Sequence, residues 1–413
     1  PGGGAQGWSD AARSGSPADG GVGASVLAHE IAPPKASSGR PSAAILMRET
    51  IRTSFPVPRR RPGPSFGAVG ELREPLERRG NWAPAFAGEQ LSMLADQASP
   101  PIAPPMERLD GGSAVPPRYR GAIVALGNFD GFHLGHQAVV GHAVARARAE
   151  GRPAIVGTFD PHPQRYFRPD SPWFRLTTMD QRQRLLAEAG IDAMLVFPFN
   201  AALAALSARG FAEERLVGFI GAGGVVTGGD FTFGKGREGD VSTLAALGAA
   251  LGFSAETVAP VRLDGEIVSS SRIRAHLREG RPADAARLLT RPFAIEGVVQ
   301  HGDQVGRTLG FPTANLSLAN YLRPAYGIYA VRGRLADGRV LDGVASLGIR
   351  PTFEPPVELL EPYFFDFSGD LYGQTIEVQL IDYLRPEAKF DSLDALKRQM
   401  DADAARARAL LAR

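Results

Sequence analysis

Gly127-Asn128-Phe129-Asp130-Gly131-Phe132-His133-Leu134-Gly135-His136 joins three glycines, an aspartate and two histidines in ten residues. Just before it, Ala122-Ile123-Val124-Ala125-Leu126 is an apolar run of strand length, the pattern of a strand covered on both faces. After it, Val139 to Ala149 is rich in Ala and Arg, with apolar residues at helical spacing. The glycine-rich segment therefore reads as a strand-to-helix turn at the carboxyl end of a parallel strand, where open α/β sheets bind ligands. Gly127, Gly131 and Gly135 permit the positive φ and close backbone approach that a phosphate loop requires. His133 and His136 stand three apart where the helix begins, so both imidazoles can face an anion drawn to its N-terminus.

A histidine pair at this spacing can also bind a metal. The chain has no cysteine, however, and no carboxylate–histidine set follows at metal spacing. Either histidine can also be structural. An H-x-G-H motif after a strand and a G-x-F-D-G turn resembles the HxGH nucleotidyltransferases. Within them it resembles the adenylyltransferase module of bacterial bifunctional riboflavin kinase/FAD synthetases, from about Ala122 to the C-terminus. The resemblance implies that His133 and His136 stabilise charge on a transferring phosphate. It also implies that Gly127, Phe129, Asp130 and Gly131 belong to the ATP-binding loop.

With 413 residues, 44% of them apolar, the chain can build two domains and a tail. A net charge of +2 gives no reason to expect a nucleic-acid or membrane partner. The absence of cysteine excludes disulfides, cysteine-ligated zinc and thiol nucleophiles, and it fits the cytoplasm. No apolar run reaches membrane-spanning length and no signal-peptide core is evident.

Residues 1–105 are dominated by Gly, Pro, Ala, Ser and Arg without sustained periodicity, and are expected to be a disordered extension. Arg59-Arg60-Arg61 reads as part of a solvated tail, because Glu71, Glu74 and Glu77 follow soon after. Met106 precedes the organised region, so the preceding stretch is expected to be dispensable for activity.

From there strands and helices alternate. Strands are expected at 154–159, 193–197 and 225–227, and helices at 179–189 and 211–220, which together predict a Rossmann-like parallel α/β sheet. Three segments extend the resemblance. T-F-D-P-H-P, with His162, resembles the family's second-strand loop near the flavin and phosphates; His162 is as readily structural. G-G-D-F-T-F-G resembles the loop lining the flavin and nucleotide cleft, where Asp230 and Phe231 are the expected contacts. Val268-Ser269-Ser270-Ser271-Arg272-Ile273-Arg274 resembles I-S-S-T-R-I-R, with Ser271 in place of threonine. Serines before a helix cap it. With two arginines added, Ser270, Ser271, Arg272 and Arg274 are expected to hold ATP phosphates.

Residues 276–292 are expected to connect an adenylyltransferase domain at 106–275 to a second domain at 293–413. The second domain is rich in short β runs between Gly, Pro and Asp turns, which predicts a small barrel, with a C-terminal helix over 392–411. The stretch from Gly302 to Asn315 resembles the riboflavin kinase motif G-D-x-x-G-R-x-L-G-F-P-T-A-N. Gly302, Gly306, Arg307, Gly310 and Pro312 are expected around phosphate, and Thr313 and Asn315 offer oxygen ligands suited to Mg²⁺. Ala345 to Phe353 resembles that family's second loop, and Leu360 to Phe367 its L-E-x-x-L-x-D-F segment, with Glu361 at the catalytic base. Phe364 replaces a leucine there, and Tyr363 stands where histidine is common. The implied function is phosphorylation of riboflavin to FMN and adenylylation of FMN to FAD, with ATP as co-substrate, Mg²⁺ as cofactor and self-association left open. The rivals are an HxGH transferase acting on another substrate and a non-catalytic flavin-binding protein.

Overall fold

Six short strands form a wholly parallel sheet: β1 (Glu107–Asp110), β2 (Ile123–Leu126), β3 (Ala154–Asp160), β4 (Ala193–Pro198), β5 (Gly224–Gly228) and β6 (Ser254–Val258). The computed structural model describes residues 106–302, 310–350 and 357–412. The extension expected over 1–105 lies outside the described residues. So do Gly306, Arg307 and the Pro351-Thr352-Phe353 end of the second kinase loop.

The strand order is β1-β4-β3-β2-β5-β6. From β2 the chain winds outward through β3 and β4, and then returns to lay β5 on the other side of β2. That reversal puts a crevice at the carboxyl ends of β2 and β5, the place where doubly wound sheets bind ligands. The strand β2 is buried along its whole length, as its unbroken apolar run requires. It feeds α1 (Leu134–Glu150), which starts five residues earlier than the spacing predicted and stops at Gly151 in the left-handed conformation. Thr178 and Gln181 form a capping box at the start of α3 (Met179–Glu188), after the short α2 (Pro163–Phe167). The helix expected at 211–220 is α5 (Ala208–Phe211) running into a π-helical segment, Ala212–Ile220, after α4 (Ala201–Ala205). The strands β1 and β6, and α6 (Val241–Leu251), complete this half.

A hairpin, β7 (Arg262–Leu263) and β8 (Glu266–Ile267), leads into α7 (Ser270–Arg278) and α8 (Pro282–Leu289). These two helices occupy most of the expected connector, yet they are not loosely attached. Ile273, Leu277, Leu288 and Leu289 are buried in one cluster with Phe293, Tyr321 and Tyr329 of the following sheet.

That second sheet is antiparallel: β9 (Phe293–Val298), β10 (Leu316–Ser317), β11 (Gly327–Arg334), β12 (Val340–Arg350), β13 (Val357–Phe364) and β14 (Thr375–Arg385), ordered β10-β13-β12-β11-β14-β9. A bridge between Gln300 and Asn315 draws its two edges together, giving a nearly closed barrel. The segment Ala345 to Arg350, expected within a loop, is the end of β12, because both flanking strands pair with it. The helix α9 (Leu393–Leu411) covers the barrel with Ala407 and Leu411 against Ala330 and Val344.

The two halves are joined by specific contacts. The Tyr321 hydroxyl donates to Gln181 Oε1 at 2.7 Å, the Leu322 amide donates to the Arg175 carbonyl at 2.8 Å, and Arg184 pairs with Glu296.

Two candidate active sites

The turn after β2 needs Gly131. Its φ of +89° is disfavoured for residues with a side chain, and a Cβ there would lie 2.8 Å from Leu176. His133 then caps α1, with Nδ1 accepting the His136 backbone N–H at 3.4 Å. The two rings stack with centroids 3.6 Å apart, and the edge of Phe129 meets His136 at 5.3 Å. Burial pushes the His133 pKa down to about 4, helped by the nearby Arg274 and Arg291 cations and opposed by Asp130. His136 is pushed well below its ordinary value by burial, with His133, Arg182 and Arg274 adding to the effect. Both imidazoles are therefore neutral at pH 7. The guanidiniums beside them would repel a metal cation and attract a phosphate.

Asp130, expected at phosphate, is instead fully engaged by protein. Its carboxylate accepts the Leu176 amide at 2.9 Å and the Thr177 amide at 3.1 Å. It also pairs with Arg274 at 2.6 Å and with Arg182 at 3.5 Å. Burial alone would raise its pKa; Arg182, Arg274 and the two amides outweigh burial and hold the carboxyl below its usual range. Phe129 is buried in the sheet's core beneath the histidines. Arg182, a site residue that the sequence reading missed, looks like any basic residue of an amphipathic helix.

At the start of α7, Ser269 is the cap and accepts the Arg272 amide at 3.2 Å. Ser270 donates to the Asp130 carbonyl at 2.8 Å, which ties this helix end to the glycine-rich turn. Arg274 faces the same place, held through Asp130 and the Phe174 carbonyl. Ser271 is exposed, whereas Arg272 turns to Glu266 at 3.0 Å and to the Leu263 carbonyl. The structure thus brings Ser270 and Arg274 to the histidine turn and engages Arg272 with the β7–β8 hairpin.

His162 caps α2 through the Gln164 amide at 3.1 Å, and burial pushes its pKa down to about 4. It also lines a cleft with Asp130, Asp160, Arg165, Trp173 and Asn320, the last from the turn after β10 in the second half. Asp230 and Phe231 are not part of that lining. Asp230 is exposed and Phe231 stacks on Phe233 beyond the end of β5.

In the second half, Asn315 and Glu361 are brought face to face by register. Leu316 pairs with Leu360, and the Ala314 amide donates to the Pro362 carbonyl at 2.9 Å, so Asn315 lies opposite Glu361. Glu361 forms an ion pair with Arg350 of β12, another residue the sequence reading missed. A Cβ at Gly302 would overlap the Asn315 amide, so the start of the motif packs directly on its end. Thr313 is half-buried, Gly310 and Pro312 are exposed, and Phe311 meets Tyr363 edge-on at 5.0 Å. Gly306 and Arg307 lie outside the described residues. The Thr313 hydroxyl and the Asn315 amide are neutral oxygen donors beside a carboxylate, a set that fits a magnesium ion whose remaining ligands are phosphate and water.

Comparison with known proteins gives each half a counterpart. The FAD synthetase family model matches residues 115–272, and the riboflavin kinase family model matches residues 289–411. The bifunctional riboflavin kinase/FMN adenylyltransferase of Pseudomonas fluorescens is 40% identical over 308 residues, 74% of this chain and 98% of that relative. Its counterpart from Escherichia coli K12 is 39% identical over 288 residues, 70% of this chain and 92% of that relative. A Streptococcus pneumoniae crystal structure bearing the name macrolide-efflux protein is similar with a TM-score of 0.66 and 31% identity. The match covers 73% of this chain and 98% of that one. Among the described residues no helix is long and apolar enough to cross a membrane. With one family match on each sheet, in tandem, and relatives of that same composition aligned over nine-tenths of their length, the chain belongs to the bifunctional riboflavin kinase/FMN adenylyltransferase family.

Proposed function

We propose that the antiparallel half (293–413) converts riboflavin and ATP to FMN, and that the parallel half (106–275) joins FMN to the adenylyl group of a second ATP, giving FAD and pyrophosphate. The observation that carries the site assignment is the stacked pair of neutral histidines at the start of α1, beside the Arg274 cation in the second turn of α7. Two helix N-termini and a guanidinium converge there, the donor set that a triphosphate requires.

In adenylyl transfer, an FMN phosphate oxygen attacks the α-phosphorus. The new O–P bond forms as the bond to the β-phosphate oxygen breaks, and pyrophosphate leaves with that electron pair. Because His133 Nδ1 accepts the His136 amide, its proton sits on Nε2 and that N–H can donate to the α-phosphate oxygens. Arg274, with Nε and Nη2 already held, keeps Nη1 for the phosphates; Ser270 and Ser271 stand at the same helix end. The fixed donors cost no reorganisation as charge develops.

In phosphoryl transfer, the riboflavin 5′-hydroxyl attacks the γ-phosphorus, its proton passes to Glu361, and ADP departs. Thr313 and Asn315 would hold Mg²⁺, which neutralises phosphate charge when bound. The cysteine-free sequence supports a cytoplasmic setting for this chemistry.

Purified protein incubated with riboflavin, ATP and Mg²⁺, with FMN resolved from FAD, tests the reading. His136→Ala should stop FAD formation while FMN accumulates at the normal rate. Loss of both activities in a variant with an unchanged circular dichroism spectrum would refute the division into two sites.

A further inference from the structure

The turn that carries the histidines is held in part from outside its own domain. Three consecutive carbonyls, those of Asp130, Gly131 and Phe132, each accept a hydrogen bond from a distant side chain. Ser270 takes the first at 2.8 Å. Arg291 takes the second through Nη2 at 2.8 Å and reaches the third through Nη1 at 3.4 Å. Gln137 adds a bond to the Phe132 carbonyl at 3.0 Å. The next residue is His133, the cap of α1. Arg291 lies beyond residue 272, where the FAD synthetase match ends, and inside the riboflavin kinase match at 289–411. It stands two positions before β9, the first strand of the kinase half.

The surroundings show why an arginine is needed. Leu289, at the end of α8, packs under Gly131, with its Cδ2 3.4 Å from where a Cβ would be. Arg291 also takes the Leu289 carbonyl at 3.0 Å, so one planar guanidinium spans the helix end and the turn. With these carbonyls tied to a cation on the side of α8, they cannot present their negative ends to the phosphates. Without that partner, the Gly131 carbonyl would be left unsatisfied while Phe132 kept its bond from Gln137, and the Gly131 peptide would rotate to find a donor.

We infer that Arg291 is a positioning residue for adenylyl transfer, supplied by the segment that leads into the kinase half and acting on His133 through the carbonyls of Gly131 and Phe132. The inference rests on the assignment of His133 and His136 to that reaction. It makes the adenylyltransferase site dependent on residues outside the segment that its own family match covers.

The test uses the full chain with Arg291→Met, which keeps an apolar stem and removes every donor, Arg291→Lys, and His136→Ala. FAD formation from FMN and ATP, and riboflavin phosphorylation, are measured for each. Because misplacing a reacting geometry by about 1 Å can cost on the order of 100-fold, Arg291→Met should lower kcat for FAD formation by roughly 10–100-fold, with far smaller changes in KM. Arg291→Lys should fall in between, because an ammonium replaces only part of the fork. Riboflavin phosphorylation should be unchanged in both. A wild-type kcat in Arg291→Met, while His136→Ala is inactive, would overturn the role of Arg291 alone. Full FAD formation by His136→Ala would instead remove the site assignment on which the inference rests. Equal losses of both activities in Arg291→Met would show a general packing role and overturn the inference too.

Discussion

Replacing Asp130 by asparagine removes one charge and almost no volume. In the wild-type chain this carboxylate is 2% exposed, accepts the Leu176 and Thr177 amides, and is the counter-ion of Arg274 and Arg182. Asparagine can accept through Oδ1, but its amide group would point N–H at N–H on the other side. It would also take from the Arg182 side chain, 5% exposed, its ion-pair partner, leaving the weaker attraction of Asp160. Breaking a buried pair by removing one partner typically costs about 3–5 kcal/mol, and that is the loss expected here. The measurement is thermal or urea unfolding of the ligand-free chain, where a fall of several degrees in midpoint is expected at pH 7. The pH dependence gives the sign. A carboxyl whose folded pKa is depressed stabilises the fold above its unfolded value, and that stabilisation is lost as pH falls through the folded value. The gap between wild type and variant should therefore close in acid. FAD formation should fall as well, because Arg274 loses the partner that aims it. An Asp130→Asn chain that unfolds at the wild-type midpoint, and differs only in its KM for ATP, would refute this account and return Asp130 to the nucleotide.

Two further outcomes are expected. Glu361→Gln should slow riboflavin phosphorylation by about 10²–10⁴-fold, the usual contribution of a positioned base, while the variant supplied with FMN still makes FAD; a wild-type phosphorylation rate would remove Glu361 from the chemistry. His133, with a folded pKa of about 4 against about 6.5 unfolded, binds fewer protons when folded, so the chain should lose roughly 3 kcal/mol of stability through this residue as pH falls from 6.5 to 4. His133→Gln should show a flatter stability profile over that window, and an identical slope in the two proteins would count against a neutral, buried His133.

Features that depend on neighbouring residues are legible in the sequence. An apolar run followed by a glycine-rich turn and a helix is enough to locate the carboxyl end of β2 and the two histidines, because strand burial, turn geometry and capping are short-range properties. The alternation of strands and helices announced the parallel sheet, and the short β runs after residue 293 announced the barrel. The strands β1 and β6 carry no clear strand pattern because Glu107-Arg108-Leu109-Asp110 and Ser254-Ala255-Glu256-Thr257-Val258 lie at sheet edges, where polar side chains reach solvent. The roles of the charged residues come from long-range packing. Asp130 is taken out of solvent and matched to Arg182 and Arg274, and Arg272 is turned aside to Glu266. Arg350 meets Glu361, and Arg291 reaches back from the segment before β9 to the histidine turn. An isolated arginine carries no local mark of its partner. Whether it is solvated or buried against a carboxylate or a carbonyl depends on which surfaces the topology brings together, and that is set by the packing of distant elements rather than by the residues beside it in the chain.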